Sequence, residues 1–492
     1  MAVAADPFDE LQKQLGPALD ANRPGSGIPH VMITLPSFSV SESILSHYGD
    51  RIFSLEHRYL NAVLIVGRIT DCHTIIVLSK LPDPAIIEYF LQLVPVSERE
   101  SARRRTTLIE VQDGTNRSVA AKLVDRPDLL DQIRSVVGDR PALIEPWNVT
   151  EHEMALALAL GVPINGSNPK VRWLGFKSEG RRLMRRAGAP VPFGIEKVRT
   201  VDDVIAAIHT IVDARGDVPG VVIKHDDSGA GDGVVMLDLA PMAGVSDPEA
   251  WLRAQVQALP DWYRTDLERG GGIVEERIAG ARFSSPSAQV DIKPDGRVAV
   301  LATHEQVLGG EMGQVYLGCR FPADPAYAPE LARHAAAIGA ELADAGAVGR
   351  FSVDFVASAD PDGGDWRIYA LEINLRKGGT THPYAALRNV APGRYEPETG
   401  RWLTADGSTR CYSATDNLVD PAWIGLAPTA VIEAVADAGL QFDPATGTGV
   451  ILHMLSGLAI DGRFGLTAIA ETADDAARLH EATRAAVARL AL

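Results

Sequence analysis

Three polar side chains occupy alternate positions at the end of an apolar strand in YALEINLRKGGTTHP, residues 369–383. They are Glu372, Asn374 and Arg376. Because residues two apart on a strand share a face, the three side chains are expected to point into one common space. A carboxylate and an amide supply oxygen ligands for a hard divalent cation, and an arginine on the same face can hold an anion.

A second carboxylate is expected to face this strand from a hairpin partner. The segment GRFSVDFVASADPDGGDWRIYALEINLR carries a turn signal centred on PDGGD, and folding about Gly363 places Asp354 across from Glu372. Like charges in facing positions destabilise a hairpin unless a cation lies between them. The sequence therefore predicts that Asp354, Glu372 and Asn374 bind Mg²⁺, with phosphates completing its shell.

A lysine precedes a loop of small residues in VPGVVIKHDDSGAGDGVVML. The predicted strand ends at Lys224, and Gly229, Gly231 and Gly233 would allow backbone N–H groups to approach phosphates closely. A plain hairpin with a flexible turn is the alternative. The loop is neither a Walker A loop nor a dinucleotide fingerprint leading into a helix.

A basic helix is predicted to begin near Lys177 and to stop at Gly188, before two prolines. Most of its basic residues are explained by a solvated face. Lys177 differs because a long cation in the first turn can reach across the helix start toward an anion.

Two adjacent acids end the apolar strand in GGIVEERIAGARFS. Neighbouring residues of a regular strand point to opposite faces, so at most one of Glu275 and Glu276 can face a shared cleft. An edge strand with solvated acids is the alternative.

Composition bounds the classes of protein to which the chain can belong. Its 492 residues are 46% hydrophobic and 23% charged, which predicts a globular protein of two to four structural units. The net charge of −17 argues against nonspecific nucleic-acid binding. Cys72, Cys319 and Cys411 have neither metal-ligand nor disulfide spacing. Without a signal-peptide pattern or a long apolar run, a cytoplasmic protein with no membrane partner is expected.

Strand and helix signals alternate along the N-terminal part of the chain. HVMITLPSF, NAVLIVGRI and HTIIVLSKL are short β-branched runs that predict strands, and DPAIIEYFLQLV has helical spacing. Residues ~25 to 160 are therefore expected to form a first α/β unit. At the other end of the chain, GRFGLTAIAETADDAARL predicts a strand followed by an amphipathic helix.

The order of these features resembles the ATP-grasp superfamily across roughly residues 161 to 385. The resemblance implies an α/β fold in which two α/β lobes clamp ATP. It implies contacts to the ATP phosphates from Lys177 and Lys224, with the loop of Ser228, Gly229, Gly231 and Gly233 closing over them. It further implies an adenine site at Glu275 and the backbone near Arg277 and Ile278, and Mg²⁺ ligands Asp354, Glu372 and Asn374. The D-alanine:D-alanine ligase pattern has an acid two residues beyond Gly280, where this chain has Arg282. Glu276 is then a candidate substitute at the ribose, and Arg282 a candidate substrate contact.

A closer resemblance covers most of the chain. LPSFSVSESILSHYGDRIFSLEHRYL, SARRRTTLIEVQD, EINLRKGGTTHP and GRFGLTAIAETADDAARL are similar to segments of the pheganomycin-type peptide ligases. This resemblance implies an N-terminal α/β pre-ATP-grasp domain over residues 1–160 and an ATP-grasp domain over 161–400, with lobes of about 161–272 and 273–400. A C-terminal α+β cap would follow over residues 401–492.

The family resemblance implies a ligase that joins a carboxylic acid to the amine of an amino acid or peptide. Lys224 would contribute to catalysis beside Arg376, which would stabilise the acyl phosphate and the tetrahedral oxyanion. Substrate-pocket candidates are Arg282, Arg376, Gly379, Thr380, Thr381 and His382. Related ligases are often dimers, so a homodimer is an expectation. Thioester formation, substrate phosphorylation and a nucleotide-binding regulatory or scaffold role are alternatives, and a metal hydrolase using Asp354, Glu372 and His382 ranks last.

Overall fold

The structure is a computed structural model that describes residues 6–40, 42–216, 218–228, 233–310, 315–360 and 364–491. The strands of these residues form three sheets, one with four parallel strands, one with four antiparallel strands and one with eleven strands. None of the helices in the described ranges is both long enough and apolar enough to cross a membrane.

The N-terminal unit is a parallel sheet in the order β3-β2-β1-β4, with helices around it. Its strands are β1 (His30–Leu35), β2 (Cys72–Leu78), β3 (Thr106–Glu110) and β4 (Ala142–Pro146). Its helices are α1 (Pro7–Gln12), α2 (Leu15–Ala21), α3 (Glu42–Tyr48), α4 (Arg51–Glu56), α5 (Ala62–Arg68), α6 (Pro84–Gln92), α7 (Val96–Arg104), α8 (Val119–Val124), α9 (Pro127–Val137) and α10 (Glu151–Leu160), with a 3₁₀ turn at His57–Asn61. Every residue of β1 is buried, as expected for a parallel strand covered on both faces.

One predicted strand of this unit is wrong. NAVLIVGRI forms helix α5 rather than a strand. The helix packs against β2, α6 and α7 and against a helix of the C-terminal half, residues 381–390. A helix covered on several sides is apolar on several faces, so its short run of Val, Leu and Ile cannot be told from a buried strand by periodicity.

The second unit is an antiparallel sheet in the order β5-β8-β6-β7. Its strands are β5 (Gly194–Val198), β6 (Gly220–His225), β7 (Val234–Asp238) and β8 (Gly272–Glu276). Its helices are α11 (Lys177–Arg186), α12 (Val201–Arg215), α13 (Pro248–Gln257) and α14 (Asp261–Gly270), with 3₁₀ turns at Pro169–Gly175 and Ala240–Gly244. The predicted basic helix is confirmed as α11, and Gly188 follows it with a left-handed φ of 72°.

The eleven-stranded sheet follows the path β14-β13-β10-β11-β12-β17-β16-β15, with β9 on β13 and β19 joining β17 to β18. Its first strands are β9 (Arg282–Ser284), β10 (Pro286–Ile292), β11 (Val298–Gly309), β12 (Val315–Phe321), β13 (Gly349–Ala359) and β14 (Arg367–Asn374), with helices α15 (Ala328–Asp344) and α16 (Thr381–Val390). The predicted hairpin is confirmed, with Asp354 in register with Glu372. Gly363, about which the turn was predicted to fold, lies outside the described residues.

The C-terminal segment continues the same sheet, because β12 pairs with β17. Its strands are β15 (Gly393–Glu396), β16 (Arg401–Thr404), β17 (Thr409–Val419), β18 (Gly449–His453) and β19 (Arg463–Ala470). Its helices are α17 (Pro428–Asp437) and α18 (Ala473–Ala488), with 3₁₀ turns at Pro421–Trp423, Leu455–Ala459 and Arg489–Ala491. The predicted final strand and helix are confirmed as β19 and α18.

Candidate active site

The β13–β14 hairpin brings two carboxylates and an amide together. Asn374 donates from Nδ2 to Oδ2 of Asp354 at 2.8 Å, and Gln306 donates from Nε2 to the other oxygen, Oδ1, at 2.8 Å. The pKa of Asp354 is raised to about 6, mainly by burial and secondly by the facing charge of Glu372. The second of these causes is the cost of placing two acids face to face, a cost that a cation between them would relieve.

Lys177 reaches this hairpin from the start of α11. Its Nζ lies 2.7 Å from Oε1 of Glu372 and donates to the carbonyl oxygen of Ser228 at 2.7 Å. The end of β6 holds the helix in place, because the backbone N–H of Ser178 donates to Oδ1 of Asp226 at 2.8 Å. Burial alone would raise the pKa of Glu372, but Lys177 and Arg376 outweigh it, so the pKa lies below its usual value.

Lys224 and Glu275 form a second buried ion pair on neighbouring strands. Nζ of Lys224 lies 2.5 Å from Oε1 of Glu275, and Arg181 holds the other carboxylate oxygen at 2.6 Å. Arg181 is 1% exposed and also donates to the carbonyl oxygen of Pro192 at 2.7 Å. The sequence reasoning missed Arg181, although its position four residues after Lys177 on one helix face was a usable signal.

Glu276 points away from Glu275, as the strand alternation predicts. Its carboxylate accepts the backbone N–H of Phe193 at 2.7 Å and pairs with Arg215 at 3.1 Å. The Glu276 carboxylate, which was a candidate ligand for the ribose, is therefore already bonded to protein groups. Ile278 lies in the irregular stretch that follows β8, residues 277–280.

The predicted phosphate loop is described only at its two ends. Ser228 donates from its hydroxyl to the carbonyl oxygen of His225 at 3.1 Å. Gly233 has a φ of 76°, and a Cβ there would lie 2.8 Å from Nδ1 of His225, so a side chain would be strained and crowded. Gly229 and Gly231 lie outside the described residues.

Arg376 and Lys377 dock against the end of β4 in the N-terminal unit. The Arg376 guanidinium lies 5.7 Å from the centre of the Trp147 ring. Lys377 is 4% exposed, and its Nζ lies 2.5 Å from Oε1 of Glu145.

A cavity of about 40 Å³ lies at this junction, with Arg172, Arg350, Arg376 and Lys377 among its lining residues. Lys377 is paired with Glu145 and Arg172 with Asp227, so Arg350 and Arg376 are the cations of this lining that favour an anion.

The residues after Lys377 are buried and packed. A Cβ on Gly379 would lie 2.5 Å from the Tyr316 ring, so only glycine fits there. Thr380 accepts a hydrogen bond at its Oγ1 from Nε2 of Gln289 at 2.7 Å. His382 contacts two residues of the C-terminal segment rather than standing alone, with its Nε2 at 2.9 Å from Oδ1 of Asp416 and 3.2 Å from Nε2 of His453.

A larger cavity, of about 960 Å³, lies between the N-terminal unit and the eleven-stranded sheet. Its charged lining residues include Glu145, Asp291, Arg350 and Lys377, and His382 and Thr381 also line it. Asp291 and Arg350 are cross-strand partners on β10 and β13. Within the described ranges, Oδ1 of Asp291 and Nε of Arg350 are buried without a hydrogen-bond partner. Two residues that line this cavity thus each have a buried polar atom, a carboxylate oxygen and a guanidinium nitrogen, that lacks a hydrogen-bond partner in the described part of the chain.

Arg282 lies apart from these groups. It is exposed on β9, and its guanidinium lies 4.5 Å from the centre of the Trp366 ring. It does not line either cavity among the residues that the structure describes.

The residues present fit both Mg²⁺ and a nucleotide. Asp354, Glu372 and Asn374 supply the oxygen-rich donor set that Mg²⁺ prefers, and burial together with the facing carboxylate of Glu372 disfavours the charged form of Asp354, so its pKa is raised. Lys177 and Lys224 are buried cations positioned at the edge of the predicted phosphate loop.

Two family profiles match parts of the chain. Residues 430–483 match the PGM1 C-terminal domain, and residues 253–382 match the IQCH-like ATP-grasp domain. The L-propargylglycine–L-glutamate ligase of Streptantibioticus cattleyicolor is 31% identical over 455 residues, covering 89% of this chain and 92% of that protein.

Solved structures share the fold at low sequence identity. N5-carboxyaminoimidazole synthetase of Staphylococcus aureus, complexed with ADP, has a TM-score of 0.51 and 11% identity over 93% of this chain and 97% of that one. The biotin carboxylase domain dimer of Hydrogenobacter thermophilus 2-oxoglutarate carboxylase, in complex with MgADP, ADP and bicarbonate, has a TM-score of 0.53 and 14% identity over 92% of this chain and 89% of that one.

Proposed function

The chain belongs to the ATP-grasp ligase family that contains L-propargylglycine–L-glutamate ligase, and on this premise we propose that it joins a carboxylic acid to the amine of an amino acid or peptide. ATP would be converted to ADP and phosphate. The observation that carries the proposal is the cross-strand pair of Asp354 and Glu372, with Lys177 in contact with Glu372 from the second unit. Two facing acids beside a buried lysine suit a metal–phosphate site.

Asp354, Glu372 and Asn374 would hold Mg²⁺, which when bound neutralises charge on the phosphates. Lys177 and Lys224 each contact an acid in the structure, at Glu372 and Glu275 respectively. We propose that each lysine exchanges its acid for a phosphate when ATP binds. Arg181 would then remain paired with Glu275, so that this buried carboxylate is not left without a partner.

The reaction proceeds in two displacements. A carboxylate oxygen of the acid attacks the γ-phosphorus of ATP, the bond to the bridging oxygen breaks, and ADP leaves. The amine nitrogen of the second substrate, after losing a proton, then attacks the acyl carbon. The carbon–nitrogen bond forms, the carbon–oxygen bond breaks, and the departing phosphate takes up the proton that the nitrogen loses as it becomes an amide. Arg376 would hold the oxygen that becomes negative, because its guanidinium offers paired donors.

The larger cavity would hold the amino acid or peptide. Asp291 offers a buried carboxylate oxygen and Arg350 a buried N–H, and these complement an ammonium and a carboxylate. Gly379 and Thr380 would shape the neighbouring wall. A homodimer and a cytoplasmic location belong to the same proposal, and light scattering after size exclusion would test the first.

A nucleotide-binding regulatory role is less well supported. A module that only binds ATP does not need an arginine beyond the metal ligands. In this chain Arg376 lies close enough to Asp354 and Glu372 that its charge acts to lower the pKa of both.

The test is an ADP and phosphate release assay with Mg²⁺ATP and pooled acids crossed with pooled amino acids and short peptides, followed by mass spectrometry. We expect ADP only when both an acid and an amine are present, together with an amide product. The Glu372→Ala variant should release no ADP. Release of AMP and pyrophosphate would overturn the acyl-phosphate mechanism.

A further inference from the structure

Three potential metal ligands, none of them shared with the Asp354–Glu372 pair, converge in the C-terminal half of the chain. His382 lies in the first turn of α16, Asp416 on β17 and His453 at the end of β18. All three are buried. Nε2 of His382 and Nε2 of His453 lie 2.9 and 2.8 Å from the same oxygen, Oδ1 of Asp416, and 3.2 Å from each other.

Hydrogen bonds alone satisfy this arrangement poorly. A neutral imidazole has one N–H donor and one acceptor nitrogen. If both Nε2 atoms carry hydrogen, the two N–H groups crowd together on one oxygen. If either lacks hydrogen, its lone pair faces a carboxylate oxygen or the other nitrogen. A cation between the three atoms would convert all of these contacts into bonds.

The spacing also suits a specific class of ion. Ligands about 2.0–2.1 Å from a tetrahedral zinc ion lie about 3.3 Å from one another, so the three atoms need to separate by only a few tenths of an ångström. Two imidazoles and one carboxylate favour zinc and neighbouring transition metals over Mg²⁺. Among the described residues, this is the only cluster of three or more His, Cys, Asp or Glu side chains with such convergence.

The surroundings resemble those of a bound metal. Arg58 lies 2.7 Å from the second oxygen of Asp416, Oδ2, and so turns Oδ1 toward the histidines. Partners of this kind commonly orient metal-binding carboxylates. Since Arg58 balances the charge of Asp416, a dication would leave the site positive and favour an anionic fourth ligand. His382 lines the larger cavity, from which such a ligand could come.

We propose that His382, Asp416 and His453 bind a zinc-class divalent transition-metal ion, at a site separate from that for Mg²⁺ATP. The ion would tie the segment after Arg376 to strands β17 and β18. Because the site uses none of the proposed nucleotide ligands, its failure would leave the ligase proposal intact.

The test measures metal content in the tag-free full-length protein, after incubation with Zn²⁺ and gel filtration. We expect about one zinc ion per chain for the wild type. His453→Gln should lose it. The matched control is His480→Gln, because His480 is partly buried and hydrogen-bonds Oγ of Ser413 at 2.8 Å outside the cluster. Replacement by Co²⁺ should give the visible absorption of a low-coordinate site in the wild type and control only.

A second measurement does not depend on a variant that folds. Dipicolinate should lower the melting temperature of the wild type, and added Zn²⁺ should restore it. Substoichiometric zinc in the wild type, or equal zinc in His453→Gln, would overturn the proposal and leave the cluster as a hydrogen-bonded network.

Discussion

Nζ of Lys177, at the start of α11, lies 2.7 Å from Oε1 of Glu372, 195 residues later on β14. The contact joins the second unit to the eleven-stranded sheet at the predicted nucleotide site. We propose that Lys177 leaves this carboxylate for a phosphate when ATP binds. Glu372 thereby has two proposed roles, as the partner of Lys177 without nucleotide and as a ligand of Mg²⁺ with it.

Glu372→Gln should lower kcat by at least about 100-fold, since it removes a charged metal ligand at the transferring phosphoryl group. The control is Glu341→Gln, whose carboxylate makes an exposed pair with Arg186 at 3.1 Å. Steady-state ADP production at saturating ATP measures both. Activity within about twofold of wild type in Glu372→Gln would contradict the assigned role.

Asp354 should make the metal-free protein less stable as the pH rises from 5 to 7. Its pKa is raised to about 6, above that of the unfolded chain, so the folded state binds more protons in this range and its stability falls with increasing pH. Asp354→Asn removes this titration. The free energy of unfolding of the variant, relative to that of the wild type, should therefore increase between pH 5 and pH 7.

Urea unfolding with and without Mg²⁺ATP measures this effect. The pH-dependent part of the difference should be about 1–3 kcal/mol without ligand, and Mg²⁺ATP should stabilise the wild type more than the variant. If the free energies of unfolding of Asp354→Asn and the wild type differ by the same amount at every pH, the pKa of Asp354 is not raised in the folded protein.

The β13–β14 hairpin itself was predictable because a hairpin is local and its turn signal lies between two apolar runs. The exact facing of Asp354 and Glu372 also depends on an irregularity in the register between Asp354 and Phe355, which the sequence pattern did not reveal. The pairing of Lys177 with Glu372 and the approach of His453 to His382 were not predictable. Both contacts depend on how distant units pack, and no short-range pattern in the sequence encodes that packing. Helix α5 was mistaken for a strand for a related reason, since burial on several sides erases the periodicity that distinguishes the two.

Arg376→Lys should lower kcat by at least about tenfold while changing the KM for ATP little. Lysine keeps the charge but loses the paired donors for the developing oxyanion. Arg367→Lys is the control, because Arg367, at the start of β14, makes only an exposed pair with Asp360. A large rise in the KM for ATP with unchanged kcat would place Arg376 at the nucleotide instead.

Gly379→Ala should destabilise the protein by about 1–3 kcal/mol and raise the KM for the amine or acid, because the new methyl group meets the Tyr316 ring. Gly378→Ala is a close control, since a Cβ there meets nothing within 4 Å. Thermal unfolding and substrate titration distinguish the two. Equal behaviour would mean that the loop moves away from Tyr316 at no cost.

The most direct test of the ligase mechanism follows oxygen atoms. Once the screen identifies an acid and an amine, the acid is supplied with ¹⁸O in both carboxylate oxygens, and the released phosphate is examined by mass spectrometry. Attack of the carboxylate on ATP predicts one ¹⁸O atom in phosphate and one in the amide for each turnover. Phosphate without ¹⁸O, or ¹⁸O in AMP, would contradict the mechanism.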